Sequence, residues 1–292
     1  MLKGSLVALV TPMQENGAID WGALDNLIDW HLESGTHGIV PVGTTGESAT
    51  LSVEEHTAVI KATVKRVNGR VPVVAGTGAN ATWEAIELTR HGMDAGADAC
   101  LVVTPYYNKP TQEGLYRHYS AIAEAVDIPL VLYNVPPRTA CDMTAETVSR
   151  LATNDRIIGI KEACGDATRV DEIKRVVPDD FILLSGEDAQ TLEMMKSGAV
   201  GTISVSANVA PAMMSQFCER FLTGNVEIAE TIDSRLQPIH EILFVETSPI
   251  PTKWALRVMG KIEVGIRLPL VPLSSQHHAS LQERLVAAGL MQ

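Results

Sequence analysis

One alternation constrains this chain more than any other feature of its sequence. Short, β-branched apolar runs return again and again, each followed by a polar turn and an amphipathic stretch. They are SLVALV from Ser5, GIVPVG from Gly38, VPVVAGTG from Val71, ACLVVTP from Ala99, PLVLYNVP from Pro129, IIGIKEA from Ile157, FILLSGED from Phe181 and GTISVSAN from Gly201. The runs are nearly continuously apolar, the pattern of strands buried on both faces. The stretches between them carry helix signals. Ser52-Val53-Glu54-Glu55 reads as a capping box opening a helix to about Val67. Thr82, Thr111 and Thr144 stand where helices start, and Gly35, Gly96 and Gly198 where they end. Parallel strands joined by helices need right-handed crossovers. Eight such units up to about Gly224 predict a (β/α)8 TIM barrel. An open doubly wound sheet is the runner-up, weakened because no GxGxxG follows the first strand.

Beyond Asn225 the pattern changes. Val226–Val245, Pro249–Met259 and Ser280–Leu290 read as helices, the last two separated by the proline-rich RLPLVPL. No strand unit appears there. The expected organisation is a catalytic barrel over residues 1–224 and a C-terminal helical extension, 225–292, packed on it.

Composition narrows the function. Lys plus Arg number 23 against 35 Asp plus Glu, a net charge of −12 over 292 residues. No basic face suited to nucleic acid is visible. No apolar run approaches the roughly 18 residues of a membrane span, and the N-terminal apolar run breaks at Thr11-Pro12, too soon for a signal peptide. The four cysteines are scattered without a CxxC, as expected of reduced thiols in a cytoplasmic protein. HExxH and HxH spacings, a GxSxG elbow and a Walker sequence are all lacking, so no metal is expected.

A barrel enzyme builds its site at the C-terminal ends of its strands. There the sequence places Gly43-Thr44-Thr45-Gly46-Glu47, Thr104-Pro105-Tyr106-Tyr107-Asn108, Tyr133-Asn134-Val135-Pro136 with Arg138, Lys161-Glu162, and Ser185-Gly186-Glu187-Asp188. Lys161 stands out because it interrupts an apolar strand, and charged side chains are rarely buried without a partner or a task. Burial favours the free amine over the ammonium, making a nucleophile for Schiff-base chemistry. The alternatives are a strand-end lysine that reaches solvent or pairs with a carboxylate, and a pyridoxal-phosphate lysine, for which no clear glycine-rich phosphate cradle is found. Tyr133, ending the neighbouring strand, is either a proton carrier or a core tyrosine. Thr44-Thr45 is either a carboxylate site or a tight turn. Arg138, after two prolines, is either a carboxylate clamp or a surface arginine.

The segments GTTGES, TPYYNKPTQEGLYRHY, LYNVPPRT, IGIKEACGD and TSPIPTKWAL together resemble the pyruvate-dependent class I aldolase family, which also holds N-acetylneuraminate and keto-deoxy-sugar lyases. The resemblance runs from Gly4 beyond Pro269. The paired Tyr106-Tyr107 and Arg138 favour the branch that condenses pyruvate with L-aspartate-4-semialdehyde, giving 4-hydroxy-tetrahydrodipicolinate for lysine and diaminopimelate biosynthesis. A lyase of another substrate or a non-catalytic ligand-binding barrel are the rivals. The resemblance implies Lys161 as the Schiff-base residue, with Tyr133, Thr44 and Tyr107 as a proton relay and Tyr107 supplied by an adjacent subunit. Thr45, Ile203 and Gly186 would hold pyruvate, and Arg138 the semialdehyde carboxylate. It further implies no cofactor, a dimer-of-dimers homotetramer, and L-lysine as an effector. The matching effector positions are Ser48, Ala49, Val53, His56, Asn80, Glu84 and Tyr106, with 53 and 56 on one helical turn and 80 and 84 on another. Val53 replaces a histidine found in lysine-sensitive members, Ser248 an asparagine, and Cys164 a frequent threonine.

Overall fold

A computed structural model describes residues 2–291. Eight parallel strands follow the eight apolar runs: β1 (Gly4–Ala8), β2 (Gly38–Val40), β3 (Val74–Gly76), β4 (Ala99–Val103), β5 (Leu130–Asn134), β6 (Ile157–Glu162), β7 (Ile182–Ser185) and β8 (Gly201–Ser204). Their order, β2-β1-β8-β7-β6-β5-β4-β3, brings the first strand beside the last, Leu6 lying opposite both Gly38 and Ile203. The remaining seam, between β2 and β3, is bridged by Ile39 N–H donating to the Pro72 carbonyl at 3.0 Å and Gly76 N–H to that of Pro41 at 3.1 Å. The sheet is thus a TIM barrel.

Strand periodicity of two explains the apolar runs. Leu6, Val40, Val74, Leu101, Val131 and Leu184 point inward and plug the barrel. Val7, Ile39, Cys100, Leu132, Ile160 and Leu183 point outward beneath the helices. Both faces are dry, so neither accepts the polar half of an alternating pattern.

The helices that cover the barrel are α1 (Trp21–Glu33), α2 (Val53–Val67), α3 (Thr82–Asp94), α4 (Gln112–Ala125), a single turn α5 (Pro136–Thr139), α6 (Ala145–Leu151), α7 (Thr168–Lys174), α8 (Thr191–Lys196) and α9 (Pro211–Leu222). The capping box forms as expected: Glu55 N–H donates to Ser52 Oγ at 3.2 Å, and Ser52 N–H to Glu55 Oε2 at 3.0 Å. Thr111 and Thr144 cap α4 and α6. Thr82 does not cap α3. Its hydroxyl is taken by His118 Nδ1 at 3.0 Å, and Ala81 fills the capping position. Asn80 consequently precedes the helix, and does not share a turn with Glu84.

Three further helices follow: α10 (Val226–Ile242), α11 (Ile250–Val258) and α12 (His278–Ala287). Their Leu236, Ile239, Leu256, Leu281 and Leu285 join the same apolar layer that lies between strands and helices. No helix among the described residues is long and apolar enough to cross a membrane.

One of the close backbone approaches inside the sheet is at Gly159. A Cβ there would lie 2.4 Å from the Ile182 carbonyl oxygen and 2.7 Å from Ile182 Cβ. Backbone cannot retreat as a flexible side chain can, so Gly159→Ala must push β6 from β7. Overpacking of this kind costs about 1–3 kcal/mol. The variant is expected to melt several degrees below the parent by circular dichroism, and an unchanged melting temperature would disprove so close a contact.

Candidate active site

Lys161 is placed by register. It lies opposite Tyr133 on β5 and Leu184 on β7, and its side chain enters the barrel while that of Glu162 leaves it. Lys161 is only 5% exposed. Its Nζ sits 4.4 Å from the centroid of the Tyr133 ring, a cation–π distance. Space for the lysine depends on Gly186, where a Cβ would come within 2.8 Å of Lys161 Cε and 2.7 Å of Ala163 Cβ.

Above this layer the strand ends form a cavity lined by Thr44, Thr45, Tyr133, Arg138, Lys161 and Gly186, with Ala8, Val40, Leu101, Val135 and Ala163 as its apolar walls. Six of the residues singled out from sequence therefore meet in one place. Ile203 does not line the cavity; it is buried in the plug of the barrel below. Tyr107 is 89% exposed at the end of the β4 loop, in a left-handed backbone conformation of φ 75°, and is not among the lining residues.

Among the lining residues, Phe244 and Glu187 had no role from sequence, whereas Ser248 was singled out as a departure from the family form. Phe244 and Ser248 come from the segment between α10 and α11, which carries no strand end. Glu187 was visible in the SGED strand end but had no assigned partner. Burial pushes its carboxyl up from the ordinary value, Asp188 adds to this, and the charges of Lys161 and Arg138 oppose it. Arg138 itself stands on the one-turn α5 and remains exposed, its Nη1 3.5 Å from Thr247 Oγ1.

The loop holding Thr44 and Thr45 is bent at both ends. Val42 and Glu47 take φ of 48° and 59°, a left-handed conformation costing roughly 1–2 kcal/mol for a side-chain-bearing residue. Thr11 Oγ1 donates to the Gly46 carbonyl at 2.7 Å, and Glu47 N–H to that of Thr44 at 3.1 Å.

A second, larger cavity adjoins the first and shares Thr44, Val135, Arg138 and Ser248 with it. Ser48, Ala49, His56, Glu84 and Tyr106 line it. Asn80 stands behind, its Nδ2 donating to the Tyr106 carbonyl at 3.2 Å. Val53, 41% exposed at the start of α2, is not part of the lining. His56 Nε2 lies 2.8 Å from the Gly76 carbonyl, which can only accept, so Nε2 carries the hydrogen. Burial lowers the His56 pKa to about 4, leaving a neutral ring whose buried Nδ1 has no partner. Among the described residues, no group of three His, Cys, Asp or Glu side chains could hold a metal ion.

A parallel barrel whose strand ends converge on a buried lysine, a phenol and paired threonine hydroxyls defines a (β/α)8 enzyme built round an amine. The chain matches the Dihydrodipicolinate synthetase family over residues 1–288, and it belongs to that family. It is 59% identical to 4-hydroxy-tetrahydrodipicolinate synthase of Pseudomonas putida (strain W619) over 291 residues, the whole of both chains. Among solved structures, it superposes with a TM-score of 0.98 on the chloride-inhibited dihydrodipicolinate synthase of Acinetobacter baumannii complexed with pyruvate, at 52% identity and full coverage of both chains. The enzyme of Cyanidioschyzon merolae with lysine bound gives a TM-score of 0.96 at 39% identity, over 99% of each chain.

Behind the lysine strand, Glu162 is buried, taking hydrogen bonds from Asn134 Nδ2 at 3.1 Å and from Cys164 N–H at 2.8 Å. Burial nevertheless raises its pKa from 4.5 to about 7. Between those values the folded protein holds a proton that the unfolded chain has released. Glu162 therefore contributes stability that is full below about pH 4.5 and is lost as pH rises through about 7. Replacing Glu162 with Gln should remove this slope. The stability of the parent relative to the variant is expected to fall by up to about 3 kcal/mol across that window. Parallel unfolding curves for the two proteins at each pH check it, and a constant difference would refute it.

Proposed function

We propose that this chain is a 4-hydroxy-tetrahydrodipicolinate synthase, condensing pyruvate with L-aspartate-4-semialdehyde in lysine and diaminopimelate biosynthesis. The observation that carries the reading is the buried Lys161 opening into a cavity with Tyr133, Thr44, Thr45 and Arg138, in a chain alike over its full length to enzymes of that name.

The chemistry follows from the groups present. The Lys161 amine adds to the ketone carbon of pyruvate, and loss of water gives an imine. The Thr44-Thr45 loop offers hydroxyls and backbone N–H groups to the pyruvate carboxylate, with Gly186 keeping the approach to Nζ open. The protonated imine is an electron sink, so a methyl proton leaves and an enamine forms. The enamine carbon attacks the aldehyde, and a new carbon–carbon bond replaces the C=O π bond. The semialdehyde's amino group then displaces Nζ by transimination, closing the ring and freeing the lysine. Tyr133 and Thr44 carry protons through these steps. Arg138 offers a planar, bidentate site for the semialdehyde carboxylate. Lysine supplies the electron sink, so no cofactor is called upon.

Tyr107 completes the relay from a neighbouring subunit in a homotetramer built as a dimer of dimers. Its near-complete exposure supports this reading, since its phenol is unburied within its own chain and free to enter another. The enzyme works in the cytoplasm on small anionic substrates, without nucleic-acid or membrane partners. Borohydride should trap pyruvate on Lys161 of the parent, adding one pyruvate-derived mass. Lys161→Ala should abolish both trapping and turnover while keeping the fold. Trapping on a different lysine would overturn the assignment.

The adjoining cavity is the binding place for L-lysine as an effector. The Glu84 carboxylate suits an ammonium group, and Ser48 and Tyr106 on the same lining offer hydroxyls. Val53, outside the lining, offers it no polar group. A missing neutral hydrogen bond costs roughly 0.5–1.5 kcal/mol, about two- to twelvefold in affinity. Inhibition by lysine should be partial or need high concentration, and Val53→His should strengthen it. Calorimetry beside inhibition curves for both proteins tests this; strong inhibition of the parent at micromolar lysine would refute it.

A further inference from the structure

The loop that carries Thr44 and Thr45 is tied to α11 by a buried ion pair. Glu47 ends the loop and Lys253 stands on α11, 206 residues away, yet Lys253 Nζ is paired with Glu47 Oε1. Their side chains are 0% and 4% exposed. The second carboxylate oxygen, Oε2, takes a long hydrogen bond of 3.4 Å from the Arg267 N–H. The Arg267 guanidinium continues the tie, donating to the Thr50 carbonyl at 2.7 Å and to both Glu55 oxygens at 2.6 Å. Both Lys253 and Arg267 belong to the chain beyond α10.

A buried ion pair is a poor source of stability, because desolvating two charges offsets most of their attraction. What it does supply is a fixed geometry. This loop needs one, since Val42 and Glu47 at its ends both hold left-handed backbone. We infer that the Glu47–Lys253 pair is a positioning device for the pyruvate half of the site, setting Thr44 and Thr45 at the distance from Lys161 at which a substrate carboxylate fits. The inference rests on the function proposed above.

Glu47→Asp tests it. The charge remains, so the pair remains, but the side chain is shorter by one carbon–carbon bond of about 1.5 Å. To keep the pair, the loop must move toward α11, which changes the place of Thr44 and Thr45 relative to Lys161. Misplacement on this scale can cost up to about a hundredfold, so the pyruvate concentration giving half-maximal borohydride trapping should rise roughly tenfold or more. The KM for the aldehyde, which Arg138 governs, should stay near that of the parent. A merely structural role would lower the folded fraction, and so kcat, with both half-saturation values unchanged. Glu47→Gln/Lys253→Met gives an independent reading, since it removes both charges and leaves neither unpaired. It should melt near the parent yet show the same selective rise for pyruvate. Half-saturation by pyruvate within twofold of the parent in either folded variant would overturn the inference. Failure of the parent itself to trap pyruvate would be a failure of the proposed function, and is seen before any variant is compared.

Discussion

The inward side chain of Lys161 is the constraint on which the rest of the site depends. A parallel barrel has a solid interior, so a lysine can enter it only where its neighbours in the layer are small or end early. Gly186 leaves that room on one side and Ala163 on another. The Tyr133 ring lies against the amine, where an aromatic face is worth about 0.5–2 kcal/mol to a cation. Beneath the lysine the plug is apolar and dry. Above it everything polar comes from strand ends and loops. The amine is held at the boundary between a hydrocarbon floor and a polar rim, which orients it toward whatever enters from above.

The outward neighbour of Lys161 is the other half of the same constraint. Alternation sends Glu162 into the layer between strands and helices, where Asn134 and the Cys164 N–H hold its carboxyl. Its own backbone carbonyl accepts from Gly186 N–H at 2.7 Å, and that of Asn134 accepts from Ala163 N–H at 2.9 Å. The ends of β5, β6 and β7 are therefore laced together just where Tyr133, Lys161 and Gly186 project. Arg169 and Asp142 extend this network to the surface through a paired contact at 3.1 Å. The strand that carries the amine is braced from the side that substrate never reaches.

The helices after the barrel do more than cover it. Phe244 and Ser248 reach into the cavity from the segment between α10 and α11, and Lys253 and Arg267 grip the loop from Glu47 to Glu55. The stretch from Gly43 to Leu51, which overlaps that loop, lines both cavities, as do Val135 and Arg138. The two chambers of this family member are thus neighbours within one chain, separated by side chains rather than by secondary structure.

Much of this was written locally. The double-faced apolar runs determined eight strands, because a strand dry on both sides has no polar half to show. Ser52 and Glu55 determined one helix start, and Thr111 and Thr144 two more, since a cap is a contact between near neighbours. Lys161 was conspicuous because a charge in an apolar strand has few explanations, and Thr44, Thr45, Tyr133 and Arg138 were found by looking only at strand ends. What the tertiary structure decided were the contacts between residues far apart in sequence. His118 took the Thr82 hydroxyl away from α3, and the Ile203 side chain joined the apolar plug of the barrel. Phe244 became a lining residue, and Lys253 met Glu47 across 206 positions. Local pattern reports which face of an element must be dry. It carries no record of which distant side chain will arrive at a given point, because that is set by barrel closure and by the packing of helices against strands far from them in sequence.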